Sequence, residues 1–206
     1  MITARVAWLL LVVGVLWACT SDYETFEPPP PDYSDREPLE LAVERVAVDS
    51  AYRPAGAPPY VDHVMPVSPE AATRALLMQR LQAVGGTDRL QAVILEASVQ
   101  EETLEPATGV RGYLTTEPAA RLQGRIQVRV DRLDAAGMVI GSVSTAVERT
   151  RTVPEGVGYA ERERIGYELV RDLVDDLDAG LSANIRESFA DLVRPEQRRP
   201  SASFAD

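Results

Sequence analysis

Asp172, Asp175, Asp176 and Asp178 place four carboxylates within seven residues, a density that would hold a divalent cation or a basic partner. Arg171 lies four residues before Asp175, so the alternative is the solvated, salt-bridged face of an amphipathic helix. The calcium-loop pattern, with its glycine turn, is absent, and no metal ligands are assigned. His63 follows Asp62, a pairing able to do acid–base chemistry. No G-x-S-x-G elbow supplies a serine nucleophile, however, and no catalytic residue is assigned. Arg125, Arg129, Arg149 and Arg151 would form a basic platform for a lipid phosphate or an acidic partner. Interleaving with Gln127, Asp131 and Glu148 gives the other reading, ordinary cross-strand pairs.

The census narrows the chemistry further. The chain has 206 residues, 45% of them apolar, with 21 basic and 32 acidic side chains and a formal net charge of −11. That balance repels phosphate backbones, so nucleic acid is not an expected partner. Every basic residue is arginine, which excludes a Walker lysine, a Schiff-base lysine and a Ser-Lys dyad. One histidine and one cysteine cannot make a Cys/His zinc site within one chain. No cofactor is predicted, and an enzyme is the least favoured class.

Leu39 to Val48 is rich in β-branched residues and reads as one strand, bulged or buried on both faces near Arg45. Residues 49 to 67, with four prolines, read as a loop carrying apolar side chains. Ser68-Pro69-Glu70 starts a helix whose buried line is Leu77, Leu81 and Val84, with Gly85-Gly86 as its C-terminal stop. Leu90 to Leu104 contains a strand with Val93, Leu95, Ala97 and Val99 on one face. Leu122, Gly124, Ile126, Val128 and Val130 alternate cleanly in the next, which has one wet face. A tight hairpin at Asp134–Gly137 leads into a strand from Met138 to Val153, with Val139, Val143 and Val147 as its core set. From Tyr159 to Leu192 an apolar residue recurs every four positions, from Ile165 to Phe189. This line drifts around a 3.6-residue helix, which must bend near Gly180 or overhang the sheet. At about 50 Å it exceeds the width expected of a four-stranded sheet and hints at a partner beyond the domain.

The N-terminus sets the address. Arg5 precedes an apolar run, Val6 to Ala18, of signal-peptide form. It is shorter than the roughly 20 residues that span a bilayer, so residues 1–18 read as an exported, cleaved signal. Leu16-Trp17-Ala18-Cys19 resembles the lipobox of bacterial lipoproteins, although Trp17 stands where a small residue is usual. The resemblance implies cleavage before Cys19, lipidation of its thiol and a membrane anchor; Thr20 after it resembles outer-membrane sorting, on the periplasmic side. Residues 19–38, including Pro28 to Pro31, read as an extended polyproline tether or a docking ligand for aromatic grooves. Residues 39–193 read as the folded domain and 194–206 as a disordered tail.

The order β-α-β-β-β-α behind a lipid anchor resembles the small α/β sandwiches of envelope lipoproteins such as LptE and the auxiliary lipoproteins of ABC-type transport. That resemblance implies an α+β two-layer sandwich: a mostly antiparallel four-stranded sheet with two helices on one face. Tyr60, Val64 and Met65 in one loop and Val110 and Tyr113 in another either cover the core edge or contact a partner. Leu181, Ile185 and Phe189 carry the same expectation at the far end of the long helix. The leading reading is a lipid-anchored, non-enzymatic accessory protein of an envelope transport or assembly complex. The alternative is a carrier of an apolar ligand.

Overall fold

The computed structural model describes residues 25–104 and 118–194. Its elements are β1 (Leu39–Leu41), β2 (Arg45–Ser50), a 3-10 turn (Asp62–Val64), α1 (Pro69–Arg80), β3 (Leu81–Ala83), β4 (Arg89–Thr103), β5 (Pro118–Leu133), β6 (Val139–Pro154) and α2 (Tyr159–Ser188). The main sheet has the order β2-β4-β5-β6; β2 runs parallel to β4 and the other neighbours are antiparallel. A second sheet pairs β1 with β3 in parallel. Both helices lie on one side of the main sheet and touch each other over a single core. The fold is α+β, with helices on one face and a solvated polar face opposite.

Three local expectations give way to packing. The segment 39–48 is two strands, because the chain turns at Val43, whose N–H donates to Leu41 O at 2.8 Å. Val43 itself is buried. Gly86 makes that turn possible: its φ is +151°, and a Cβ there would lie 2.2 Å from Ala42 O. Gly85-Gly86 is therefore not the stop of α1, which ends at Arg80 with Leu81 N–H still donating to Leu77 O before the chain enters β3. In β4 the register shifts between Ile94 and Glu96. Leu90, Ala92 and Ile94 face the core before the bulge, and Ala97 and Val99 after it. An inserted residue changes the parity of a strand, which is why Val93 and Leu95 do not belong to the core face.

β5 keeps its alternation from Leu122 to Val130: Leu122, Ile126, Val128 and Val130 are buried. Gly124 takes the remaining inward position because α2 sits directly above it, and a Cβ would come within 2.4 Å of Leu173 Cδ1. On β6, Val143 and Val153 are buried and Val147 is half-buried, whereas Val139 is exposed near the hairpin tip. Thr145 is the unanticipated core member; its hydroxyl accepts from Asn184 Nδ2 at 2.8 Å.

The length of α2 is consumed by the protein's own sheet. Thirty residues span about 45 Å, and the fifteen or sixteen residues of β4 to β6 run about 50 Å at the usual strand rise. Leu169, Leu173, Leu177, Leu181 and Ile185 are buried along the whole helix, and Phe189, Leu192 and Val193 continue the core beyond it. Gly180 is a point of close approach, where a Cβ would lie 3.1 Å from the Thr145 methyl.

The proline-rich stretch is a strap. Phe26 packs on Tyr167 with ring centroids 5.6 Å apart, Tyr33 is buried in the core, and its backbone N–H donates to Gln79 Oε1 at 2.6 Å. Arg36 lies over the Tyr33 ring at 4.8 Å and pairs with Asp175 at 2.5 Å and Asp178 at 2.9 Å. Residues 26–36 thus run along α2 rather than serving as a free spacer. Polyproline segments are already extended and lose little entropy on docking, so two aromatic anchors and one arginine hold them.

Candidate functional site

The helix carboxylates are spent in pairs with arginines from three elements. Asp178 accepts from Arg36 of the strap and, at 2.8 Å, from Arg80 Nε of α1. Ser182 Oγ also donates to Asp178, at 3.2 Å. Asp175 is held by Arg36 alone among the ion pairs described. On the opposite flank, Arg149 and Arg151 of β6 reach Asp176 and Asp172. The hydrogen bond from Arg149, aided by its charge and opposed by burial, holds the Asp176 carboxyl below its ordinary range. Among the described residues no group of three or more Asp, Glu, His or Cys side chains is placed to hold a metal ion. The four aspartates fasten the strap, α1 and β6 to α2.

The arginine platform divides for a geometric reason. Arg125 and Arg129 project from the open face, where they pair with Glu96 at 3.5 Å and Asp131 at 3.0 Å. Arg149 and Arg151 reach the helix face instead. The four therefore do not converge on one ligand.

Asp62 and His63 also diverge: Asp62 is buried while His63 is exposed. The inward carboxylate lies near Tyr52, whose pKa is raised by burial first and by Asp62 second. Tyr60 extends the sheet by bridging to Gln100, and Val61 N–H donates to Val99 O at 2.8 Å. Val64 is 67% exposed. Met65 is half-buried against Gly166, where a Cβ would come within 2.7 Å of its methyl. Val110 and Tyr113 lie outside the described residues, as do Cys19 and the tail from 195 onward. Leu181, Ile185 and Phe189 fill the space between α2 and its sheet, so they are core side chains and not an exposed contact surface.

Two features escaped sequence reasoning. Met138, Val139 and Ile140 are consecutive and 66%, 56% and 54% exposed at the β5–β6 hairpin tip, whereas strand alternation predicts Val139 in the core. The strap was signalled only by the aromatic side chains Phe26 and Tyr33 flanking the prolines.

Among the described residues, two cavities that border the helices bear on ligand binding. One of about 290 Å³ lies between the strap and α2, walled by Pro29 to Pro31, Tyr33, Tyr167 and several charged groups, including Arg171 and Asp175. The other, about 190 Å³, lies under the 61–66 loop, bounded by Val61, Met65, Leu122, Tyr159 and the Arg162–Glu101 ion pair. Sites for drug-sized ligands usually measure about 300–1,000 Å³ and are mostly apolar. The first is at that margin and charged; the second is too small for a whole lipid.

No family model matches the chain, and no curated protein matches it. Solved structures similar to it include a minor lipoprotein from Acinetobacter baumannii, at 17% identity and a TM-score of 0.37, covering 70% of this chain and 94% of that one. Lipoprotein GNA1162 from Neisseria meningitidis is similar at 11% identity and a TM-score of 0.23, covering 69% and 99%. The PelC dodecamer from Paraburkholderia phytofirmans is similar at 20% identity and a TM-score of 0.23, covering 68% and 91%. These likenesses are too distant to carry function, which has to rest on the chain's own residues. Among the described residues no helix is long and apolar enough to cross a membrane.

Proposed function

We propose that this chain is a non-enzymatic accessory protein of the bacterial envelope, held by an acylated Cys19 on the periplasmic side of the outer membrane. It would present its α+β domain to a transport or assembly complex. The observation that carries the adaptor role is the exposed apolar run Met138–Ile140. It crowns a hairpin at the end of the molecule opposite the start of α2, the end where the strap brings in the chain from Cys19. Consecutive exposed apolar side chains on a rigid hairpin are costly in water unless a partner covers them. The charged residues that would have served an active site are instead occupied in fastening elements together. The cavity volumes favour this reading over a carrier of apolar ligands.

Two measurements test it. Cells fed a radiolabelled fatty acid should label the wild type and not Cys19→Ala; equal labelling overturns the anchor. Ile140→Lys should leave the fold intact while abolishing cross-linking of the protein to an envelope partner in intact cells, and undiminished cross-linking rejects the hairpin as the contact.

A further inference from the structure

We infer that the end of the molecule where α2 begins rests on the bilayer surface, with Val64 and Tyr159 touching the boundary between headgroups and acyl chains. This rests on the lipid-anchor reading and adds an orientation to it. The argument starts from chain length. Phe26 lies seven positions after Cys19, and a fully extended chain covers at most about 25 Å over that distance. Phe26 is fixed on Tyr167, with Arg164 over its ring at 5.7 Å, so the leash ends beside the second and third turns of α2. The docked strap denies the domain the much longer reach that a free stretch to Pro38 would give.

The same end carries apolar side chains in water. Tyr159, the first residue of α2, is 71% exposed, and Val64 is 67% exposed. Both rim the small cavity that Met65 and Gly166 also line, and Gly166 precedes Tyr167 in the helix. The cavity, the two exposed side chains and the strap anchor therefore share one end, while the hairpin tip lies about 45 Å away at the other end of α2. Two apolar side chains are too few to hold a protein on a membrane by themselves. An anchored chain with a short leash supplies the local concentration that makes a weak contact persist. The carboxylates of this end set the lipid preference: Glu101 and Glu161 pair with Arg162 and Arg164, while Glu163, on the cavity rim beside Tyr159, has no arginine partner among the ion pairs described. Contact should be favoured on zwitterionic lipid and weakened by anionic lipid.

The test uses the acylated chain purified from membranes and placed on vesicles of phosphatidylethanolamine and phosphatidylcholine with brominated acyl chains. Both tryptophans, Trp8 and Trp17, precede Cys19, so the cleaved protein contains none and a single introduced tryptophan reports its own depth. Val64→Trp should be blue-shifted and quenched, and Ile140→Trp unaffected; replacing half the lipid by phosphatidylglycerol should reduce the quenching. Adding Phe26→Ala, which undocks the end of the leash without touching Val64, should also reduce it. Equal quenching at both positions, quenching at neither while the protein floats with the vesicles, or indifference to Phe26→Ala would overturn the orientation and leave the anchor standing. Protein that does not float with the vesicles would instead remove the anchor reading, and the orientation with it.

Discussion

The two flanks of α2 use the same chemistry and should obtain different stabilities from it. Toward the strap and α1, Asp178 is 14% exposed and meets Arg80, 13% exposed, and Arg36. Toward β6, Asp176 and Arg149 are 35% and 53% exposed. An ion pair shielded from water punishes the loss of either partner, because the survivor stays desolvated without its counter-charge. An exposed pair is screened and its partners simply rehydrate. The first flank is a clamp, whereas the second trims a solvated surface. Breaking each in turn separates the two.

The largest effect is expected from Asp178→Ala, which leaves Arg80 and Arg36 facing one another across a vacated position. A loss of about 3–5 kcal/mol is expected, read as a lowered midpoint in urea. A loss below 1 kcal/mol would show that the clamp is no stronger than the surface pairs. Next comes Tyr33→Ala, which empties the strap's buried anchor. Truncating a buried aromatic costs about 3 kcal/mol at the low end, and here the strap should also become open to protease between Phe26 and Pro38. Unchanged proteolysis would mean that Phe26 and Arg36 hold the strap without it.

The underside of α2 supplies an intermediate case. Gly124→Ala forces a Cβ to within 2.4 Å of Leu173 Cδ1, and overpacking of this kind costs about 1–3 kcal/mol. Stability equal to wild type would show that Leu173 can rotate away. Asp176→Ala, on the exposed flank, should cost only about 0.2–1 kcal/mol. A double-mutant cycle with Arg149→Ala measures the pair directly, and a coupling larger than that would erase the distinction between the flanks.

How far the sequence reveals this arrangement depends on the range of the interaction. β5 and the line of leucines in α2 are legible because their periodicity comes from one face meeting one core. The hairpin at Asp134–Gly137 is equally local: Gly137 takes φ +85° and its N–H donates to Asp134 O at 3.0 Å. The inward face of β4 is not legible, because a bulge between Ile94 and Glu96 reverses the alternation and no residue type announces it. The break at Val43 is hidden for a related reason, since it needs Gly86 from a different part of the chain. The site residues follow the same rule. Asp172 to Asp178 can be recognised as a charged helix face, but their arginine partners lie up to 142 positions away in sequence, and only the fold brings Arg36 to them. The period-four line in α2 implies an overhanging helix only above short strands; strands of fifteen and sixteen residues cover its full length, and strand length is set by pairing that helix periodicity does not report.

The smallest and sharpest test is titration, because the flanks should weaken at opposite ends of the pH scale. Asp176 has a depressed pKa, caused first by the hydrogen bond from Arg149. Its contribution is complete above the unfolded carboxylate value of about 3.9 and is lost as pH falls through the lower folded value. The stability gap between wild type and Asp176→Asn should stay constant from about pH 7 to 5 and close below about pH 4. On the strap flank, burial pushes the Tyr33 hydroxyl up to about 12. The folded state therefore prefers the protonated phenol, and that preference stabilises fully below the unfolded value of about 10. As pH rises from there toward the folded value the stabilisation drains away, because the unfolded chain releases a proton that the folded chain keeps. Tyr33→Phe removes the titrating group and keeps the ring, so it should resist alkaline unfolding better than wild type while behaving identically in acid. Identical alkaline midpoints for the two proteins would show that Tyr33 is not shielded from water as the docked strap requires.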